Sequence, residues 1–227
     1  MRLPHGPLSA AGAAAAAALL LKHELKGRQA AERIAAAALE SLLKAIDAND
    51  PDTGAHVRRV AAYALVLADA AALAERERRS VERVALFHDI GKIHEALFDI
   101  IHDHKKLTPA ERRRILTHPQ RGAEVLAPLA GFYPDLPEGV LSHHERWDGS
   151  GYPRHLKGRR IPLSARVVAI ADTFDAITSD RPYRCASTLS EARREIARCA
   201  GSQFDPICVS AFLGLREHEL AELRNGA

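Results

Sequence analysis

The stretch Phe87-His88-Asp89-Ile90-Gly91-Lys92 closes an apolar helical run with an imidazole, a carboxylate and then a glycine. It constrains folding more than any other stretch, because the helical period puts His88 on the apolar stripe of Val81, Val84 and Ala85. A His-Asp pair can offer one nitrogen and two oxygens to a divalent metal, and the carboxylate can bridge two ions. Alone, such a pair is more often an ordinary helix terminus. His56, His118, His143, His144 and Asp172 lie in similarly punctuated surroundings and shift the balance toward metal.

The 227 residues, 47% of them hydrophobic, suffice for one sizeable core or a core with a short appendage. A net charge of +3 gives no reason to expect a DNA or RNA polymer as partner. Cys185, Cys199 and Cys208 are odd in number and form no CxxC, so they read as thiols in a reducing, cytoplasmic setting. Leu8 to Leu21 is alanine-rich and uncharged but falls short of the roughly 20 residues that span a bilayer. Met1 to Pro7 makes a poor signal-peptide start. The expectation is therefore no membrane span, a tail or linker helix over 1–28 and one domain over 29–227. The N-terminal helices are the expected route to a homodimer or a regulatory partner.

From Gln29 the pattern is helical, with Ile34, Ala38, Leu42 and Ile46 on one face, and Asn49-Asp50-Pro51 stops it. A second helix opens near Asp52, which stands close to a capping position, and carries His56 in its first turn. Glu75 to Arg79 reads as a charged turn before the helix that ends at His88 and Gly91. His102-Asp103-His104 has charged neighbours and no helical pattern, and reads as loop. Thr108-Pro109-Ala110-Glu111 is a helix start, with His118 expected at that helix's end and Pro119 breaking it. Val140 and Leu141 lead into His143-His144, and a polar loop from Glu145 to Pro153 carries Trp147 and Tyr152, more than a plain connector needs. A long helix from Ile161 turns Val167, Ile170, Ala171, Phe174 and Ile177 inward, with Asp172 expected to be buried beside them. It ends in the basic turn Arg181-Pro182-Tyr183-Arg184, and two further helices start at Leu189 and Asp205. No stretch alternates as a strand does, so the fold expected is all-α.

Histidine and carboxylate ligands without cysteine suit iron, manganese or zinc rather than a structural zinc cage. Five histidines and two or three carboxylates exceed what one ion needs, which points to two ions or three, with Asp89 between them. Two metals about 3.5–4 Å apart are the usual apparatus of phosphoester hydrolysis.

The runs His88-Asp89-Ile90-Gly91-Lys92 and His143-His144-Glu145-Arg146-Trp147-Asp148-Gly149-Ser150-Gly151-Tyr152-Pro153 resemble the HD-GYP family, over about Gln29 to Phe212. The resemblance implies an HD-domain helical bundle with a C-terminal Gly-Tyr-Pro extension, acting as a cyclic di-GMP phosphodiesterase that yields pGpG, GMP or both. It implies His56, His88, Asp89, His118, His143, His144 and Asp172 as metal ligands, with Asp89 and Lys92 as the catalytic groups. It further implies Lys92, Tyr152, Arg181 and Arg184 as contacts to substrate phosphates. Two ions, iron or manganese, are the implied cofactors; Asp52 stands where members with a third ion carry Glu, so the count is two or three. His94 to Lys106 departs from the usual Ile-Pro-Asp and Lys-Pro-Gly pattern, which leaves substrate preference open. Two alternatives stand beside this reading: a hydrolase for another cyclic dinucleotide, and a non-catalytic cyclic di-GMP sensor.

Overall fold

The computed structural model describes residues 10–93, 108–180 and 185–226. The chain divides into two compact units, Met1–Leu42 and Leu43–Ala227. Helix α1 (Ala10–Asn49) begins well before the expected Gln29. Within the first unit Leu21, Leu25 and Ile34 are exposed, Ile34 by 71%. Ile34 therefore does not share the buried face expected for it; among the described side chains of α1 the buried positions are Ala35, Leu39 and Ile46, which repeat at four and seven residues.

The second unit is helical, and among the described residues it contains no strand, only one isolated bridge between Ala200 and Phe204. Its helices are α2 (Pro51–Ala70), α3 (Glu75–Phe87), α4 (Pro109–Ile115), α5 (His118–Leu126), α6 (Asp135–Ser142), α7 (Leu163–Thr178), α8 (Leu189–Arg198), α9 (Pro206–Gly214) and α10 (Glu217–Gly226). No described helix is long and apolar enough to cross a membrane.

The core forms where α2, α3 and α7 pack together. Val57, Val60, Ala64 and Leu67 of α2 meet a face made by Val81 and Val84 of α3 and Val167, Ile170 and Phe174 of α7, all fully buried. Phe174 is the hub: its ring lies edge-on to Tyr63 at 4.9 Å and tilted against Phe212 at 5.2 Å. Each such side chain contributes about 1.5–3 kcal/mol by leaving water.

Several helix boundaries differ from the sequence expectation for local reasons. Asp50, not Asp52, caps α2: its carboxylate accepts from the Asp52 amide at 3.0 Å and from the Thr53 hydroxyl. Helix α3 begins at Glu75, because Glu75 and Glu77 in its first turn suit the positive end of the helix dipole. Thr108 and Glu111 form the expected reciprocal cap of α4, at 3.2 and 2.6 Å. His118 does not end α4 but begins α5, where Pro119 is tolerated in a first turn that has no amide bonds to make. Helix α10 follows the two C-terminal helices expected.

Candidate metal centre

Three of the histidines are held by one local device. His88 and His143 sit just past the last residues of α3 and α6, and His118 lies three residues beyond the end of α4. Each ring Nδ1 meets the carbonyl three residues earlier: Ala85 at 2.8 Å, Ile115 at 2.7 Å and Val140 at 2.6 Å. These belong to the final turns of helices, whose carbonyls lack an amide partner within the helix. A carbonyl can only accept, so each Nδ1 carries the proton and each Nε2 is left as the donor for a metal.

Gly91 brings these groups together. A Cβ there would lie 2.1 Å from the His118 carbonyl oxygen and 2.7 Å from the Gly122 nitrogen. Only glycine lets the turn after Asp89 pack against the start of α5. The result is a centre around Asp89, which is 4% exposed. Its Oδ1 lies 3.3 Å from His118 Nε2, while its Oδ2 lies 3.5 Å from His88 Nε2, 3.8 Å from His56 Nε2 and 2.5 Å from Lys92 Nζ. Two sets of three ligand atoms flank it: His56, His88 and Asp172 in one, His118, His143 and His144 in the other, each set within 4.8 Å.

These residues fit metal ions and fit poorly without them. His118 Nε2 and His143 Nε2 approach to 3.1 Å although both rings carry their proton on Nδ1, so two lone pairs face each other. His88 Nε2 and Asp89 Oδ1 are buried with no hydrogen-bond partner, a cost that a cation between them would remove.

The electrostatics point the same way. Burial lowers the pKa of His88 and His143, favouring neutral rings, and drives His144 down to about 4 with help from His118. Burial opposes charge on Asp89, but Lys92, His88 and His118 overcome it and hold the carboxylate well below its usual range. His56 is the exception. Burial works against its proton, yet hydrogen bonds to Asp172 and Asp175 and the charge of Asp89 push it up to about 9.

Asp175 escaped the sequence reading. At 1% exposed it is the buried carboxylate of α7, whereas Asp172, expected to be buried, has a side chain 23% exposed. Asp172 faces the site, with Oδ1 3.4 Å from His56 Nε2, and Asp175 accepts from His56 Nδ1 on the other side of the ring. Arg59 steadies Asp175 through two contacts, at 2.7 and 3.1 Å. The signal was present: Asp172 and Asp175 are three apart, one helical turn on the same face.

Glu145 was missed as well. It is 4% exposed and accepts from the amides of Arg154 at 2.7 Å and Leu156 at 2.9 Å, pinning the Gly-Tyr-Pro loop. A Cβ on Gly151 would lie 2.3 Å from the Arg146 nitrogen, so glycine lets the loop fold back on itself. That carries Tyr152 onto His144, rings nearly parallel and 4.9 Å apart.

A cavity of about 750 Å³ opens beside the centre, lined by His56, Asp89, Lys92, His144 and Asp172 and also by Asp52. A smaller one of about 190 Å³ shares His144 and Asp172 with it and adds Tyr152. Arg181 and Arg184, and the histidine-rich segment 94–104, lie outside the described residues.

A family model described as HD domain matches residues 40–207. This chain belongs to the HD domain family. The relatives of this HD-domain chain include the cyclic di-GMP phosphodiesterase response regulator RpfG of Xanthomonas campestris, 41% identical over 177 residues, covering 77% of this chain and 46% of RpfG. A 3'3'-cGAMP-specific phosphodiesterase 2 of Vibrio cholerae is 38% identical over 175 residues, covering 76% of this chain and 33% of that protein. The chain thus spans less than half the length of these two relatives. Among solved structures, a cyclic GMP-AMP specific phosphodiesterase of V. cholerae shares the fold, with a TM-score of 0.62 at 24% identity over 82% of this chain and 50% of that one.

Proposed function

We propose that the chain is a metal-dependent phosphodiesterase that hydrolyses cyclic di-GMP to pGpG, GMP or both. One observation carries the reading: the two oxygens of Asp89 face two separate sets of three ligands. That arrangement suits two divalent ions, iron or manganese given the ligand types, with Asp89 shared between them. Asp52 on the cavity wall leaves a position for a third. Such ions, when bound, supply Lewis acidity toward phosphoryl oxygens and lower the pKa of a coordinated water.

The chain's own groups supply the rest. Lys92, beside Asp89, carries a positive charge for the phosphoryl oxygens as their negative charge grows. Burial, with Asp89 and Asp172 nearby, raises the Tyr152 pKa, so its hydroxyl stays protonated and can donate to a phosphate. Arg181 and Arg184 are assigned to the phosphates on the family resemblance, and Ser179, Asp180 and Ala186, near them in sequence, line the cavity.

The relatedness to a 3'3'-cGAMP-specific enzyme supports a second reading, in which another cyclic dinucleotide is the substrate. Residues 1–28 act as tail or linker ahead of the catalytic domain 29–227, and exposed Leu21, Leu25 and Ile34 suit contact with a second copy or a regulatory partner. Three free cysteines suit the cytoplasm.

Anaerobic purification with metal analysis, followed by chromatography of cyclic di-GMP and 3'3'-cGAMP digests, tests the proposal. Two ions per chain and cleavage of cyclic di-GMP are expected. Cleavage of 3'3'-cGAMP alone would move the assignment to the second reading, and binding without cleavage would make the chain a sensor.

A further inference from the structure

Among the described residues, three arginine and lysine side chains line the 750 Å³ cavity: Arg59, Lys92 and Arg224. Two are already engaged. Arg59 grips Asp175 and Lys92 lies against Asp89. Arg224 has no ion-pair partner among the described residues. It stands on α10, which begins ten residues past the last residue matched to the HD domain family, 207 against 217.

That helix is firmly seated. Leu220 is fully buried, and α10 packs against α2 and α8. Arg193 of α8 donates to the carbonyls of Leu213 and Leu215 at 2.6 and 2.8 Å, fixing the chain just before α10. The charge of Arg224 is felt at the Tyr63 hydroxyl, as is that of Arg59. An arginine in the last turn of a helix ordinarily just complements the helix dipole. The reason to ask more of Arg224 is its cavity: five aspartates line it, and among the described arginines and lysines on its wall Arg224 alone holds no carboxylate and is free to meet an anionic ligand.

We infer that Arg224 binds the phosphate of the cyclic dinucleotide that is not being cut, making α10, which lies beyond the region matched to the family, a substrate-binding element. The inference rests on the proposed phosphodiesterase reading. A cyclic dinucleotide carries two phosphodiester anions, and hydrolysis at the centre engages one. The other, held in a cavity lined by five aspartates, needs charge-assisted hydrogen bonds, which guanidinium supplies in a fixed fork.

The test compares wild type with Arg224→Ala and Arg224→Lys in the full chain. Cyclic di-GMP, with two phosphates, and bis(p-nitrophenyl) phosphate, with one, are the two substrates. Arg224→Ala should lower the ratio of kcat/KM for the first over the second by about 10–100-fold, the size of one lost charge-assisted contact. The loss should fall mainly in KM, and Arg224→Lys should recover part of it. In parallel, calorimetric titration with cyclic di-GMP reads affinity without turnover. Weaker binding by Arg224→Ala in a chain that does not hydrolyse cyclic di-GMP would support the role of Arg224 and overturn the enzyme reading. Normal hydrolysis with an unchanged ratio would overturn the role of Arg224 and leave the enzyme reading standing. A wild type that binds no cyclic dinucleotide would overturn both.

Discussion

Asp175 accepts a hydrogen bond from His56, Nδ1 to Oδ2 at 2.7 Å, from a position that is almost wholly buried. The contact fixes the imidazole ring so that Nε2 points at Asp89 and Asp172. Asp175 bonds His56, Arg59 and Ser179, so its part is positioning the His56 ring. Carboxylates that orient a ligating histidine are typically worth about 10–100-fold in metal affinity. Asp175→Asn should therefore lower metal affinity by that order in a chelator-competition titration, with helical circular dichroism retained. An unaltered affinity would show that Asp172 and Asp89 suffice to hold the ring.

Asp89 and His88 are adjacent but their loss should have different consequences. His88 belongs to one ligand set, whereas the two oxygens of Asp89 face both. In metal analysis His88→Ala should keep about one of two ions, and Asp89→Ala should keep neither. Both should lose hydrolysis while far-ultraviolet circular dichroism persists. Two ions and normal turnover in Asp89→Ala would sink the shared-carboxylate arrangement.

The helices were largely legible because α2, α3 and α7 bury continuous apolar stripes, and that period survives folding in any context. The Thr108 cap was legible for a different reason: both of its partners lie within four residues. What the sequence hid were relationships across the fold. Glu75 to Arg79 looked like a turn because a first helical turn made of charges has no apolar periodicity to display. Pro119 looked like a breaker, since helix stop and helix start share proline as a signal. Asp175 and Glu145 carry no local mark of burial; tertiary packing buries them against His56 and the Gly-Tyr-Pro loop. The ligand histidines were readable from motif and company, but their bonds to Ala85, Ile115 and Val140 needed coordinates.

Gly91→Ala should destabilise the chain even though it removes nothing. The added methyl meets the His118 carbonyl and the Gly122 nitrogen, both backbone atoms that cannot swing away. Overpacking of this kind costs typically about 1–3 kcal/mol. A lowered Tm together with weaker metal retention is expected, since the clash pushes α5 from Asp89. A variant with unchanged Tm and full metal content would mean the turn can shift without cost.

The cysteines should differ sharply in reactivity. Burial, reinforced by Asp205, pushes the Cys208 thiol up to about 12, while Cys185 is exposed. Folded protein at pH 8 should take up iodoacetamide at Cys185 and spare Cys208. The raised value also has a sign for stability: the folded state favours the protonated thiol. The thiol's contribution is complete below its unfolded value of about 8.5 and declines as pH rises through the folded value of about 12. Rapid labelling of Cys208 in the native chain would show that α9 opens locally.

Because His88, His118 and His143 are each tied to a carbonyl of the helix turn just before them, the centre depends on where three helices stop. One residue more or fewer ahead of any of these stops would rotate its imidazole by about 100° around the helix axis. Chain length within α3, α4 and α6 is thus under a stricter rule than composition. Apolar residues along these helices can exchange for others of like size, but an insertion or deletion there would aim a nitrogen away from Asp89.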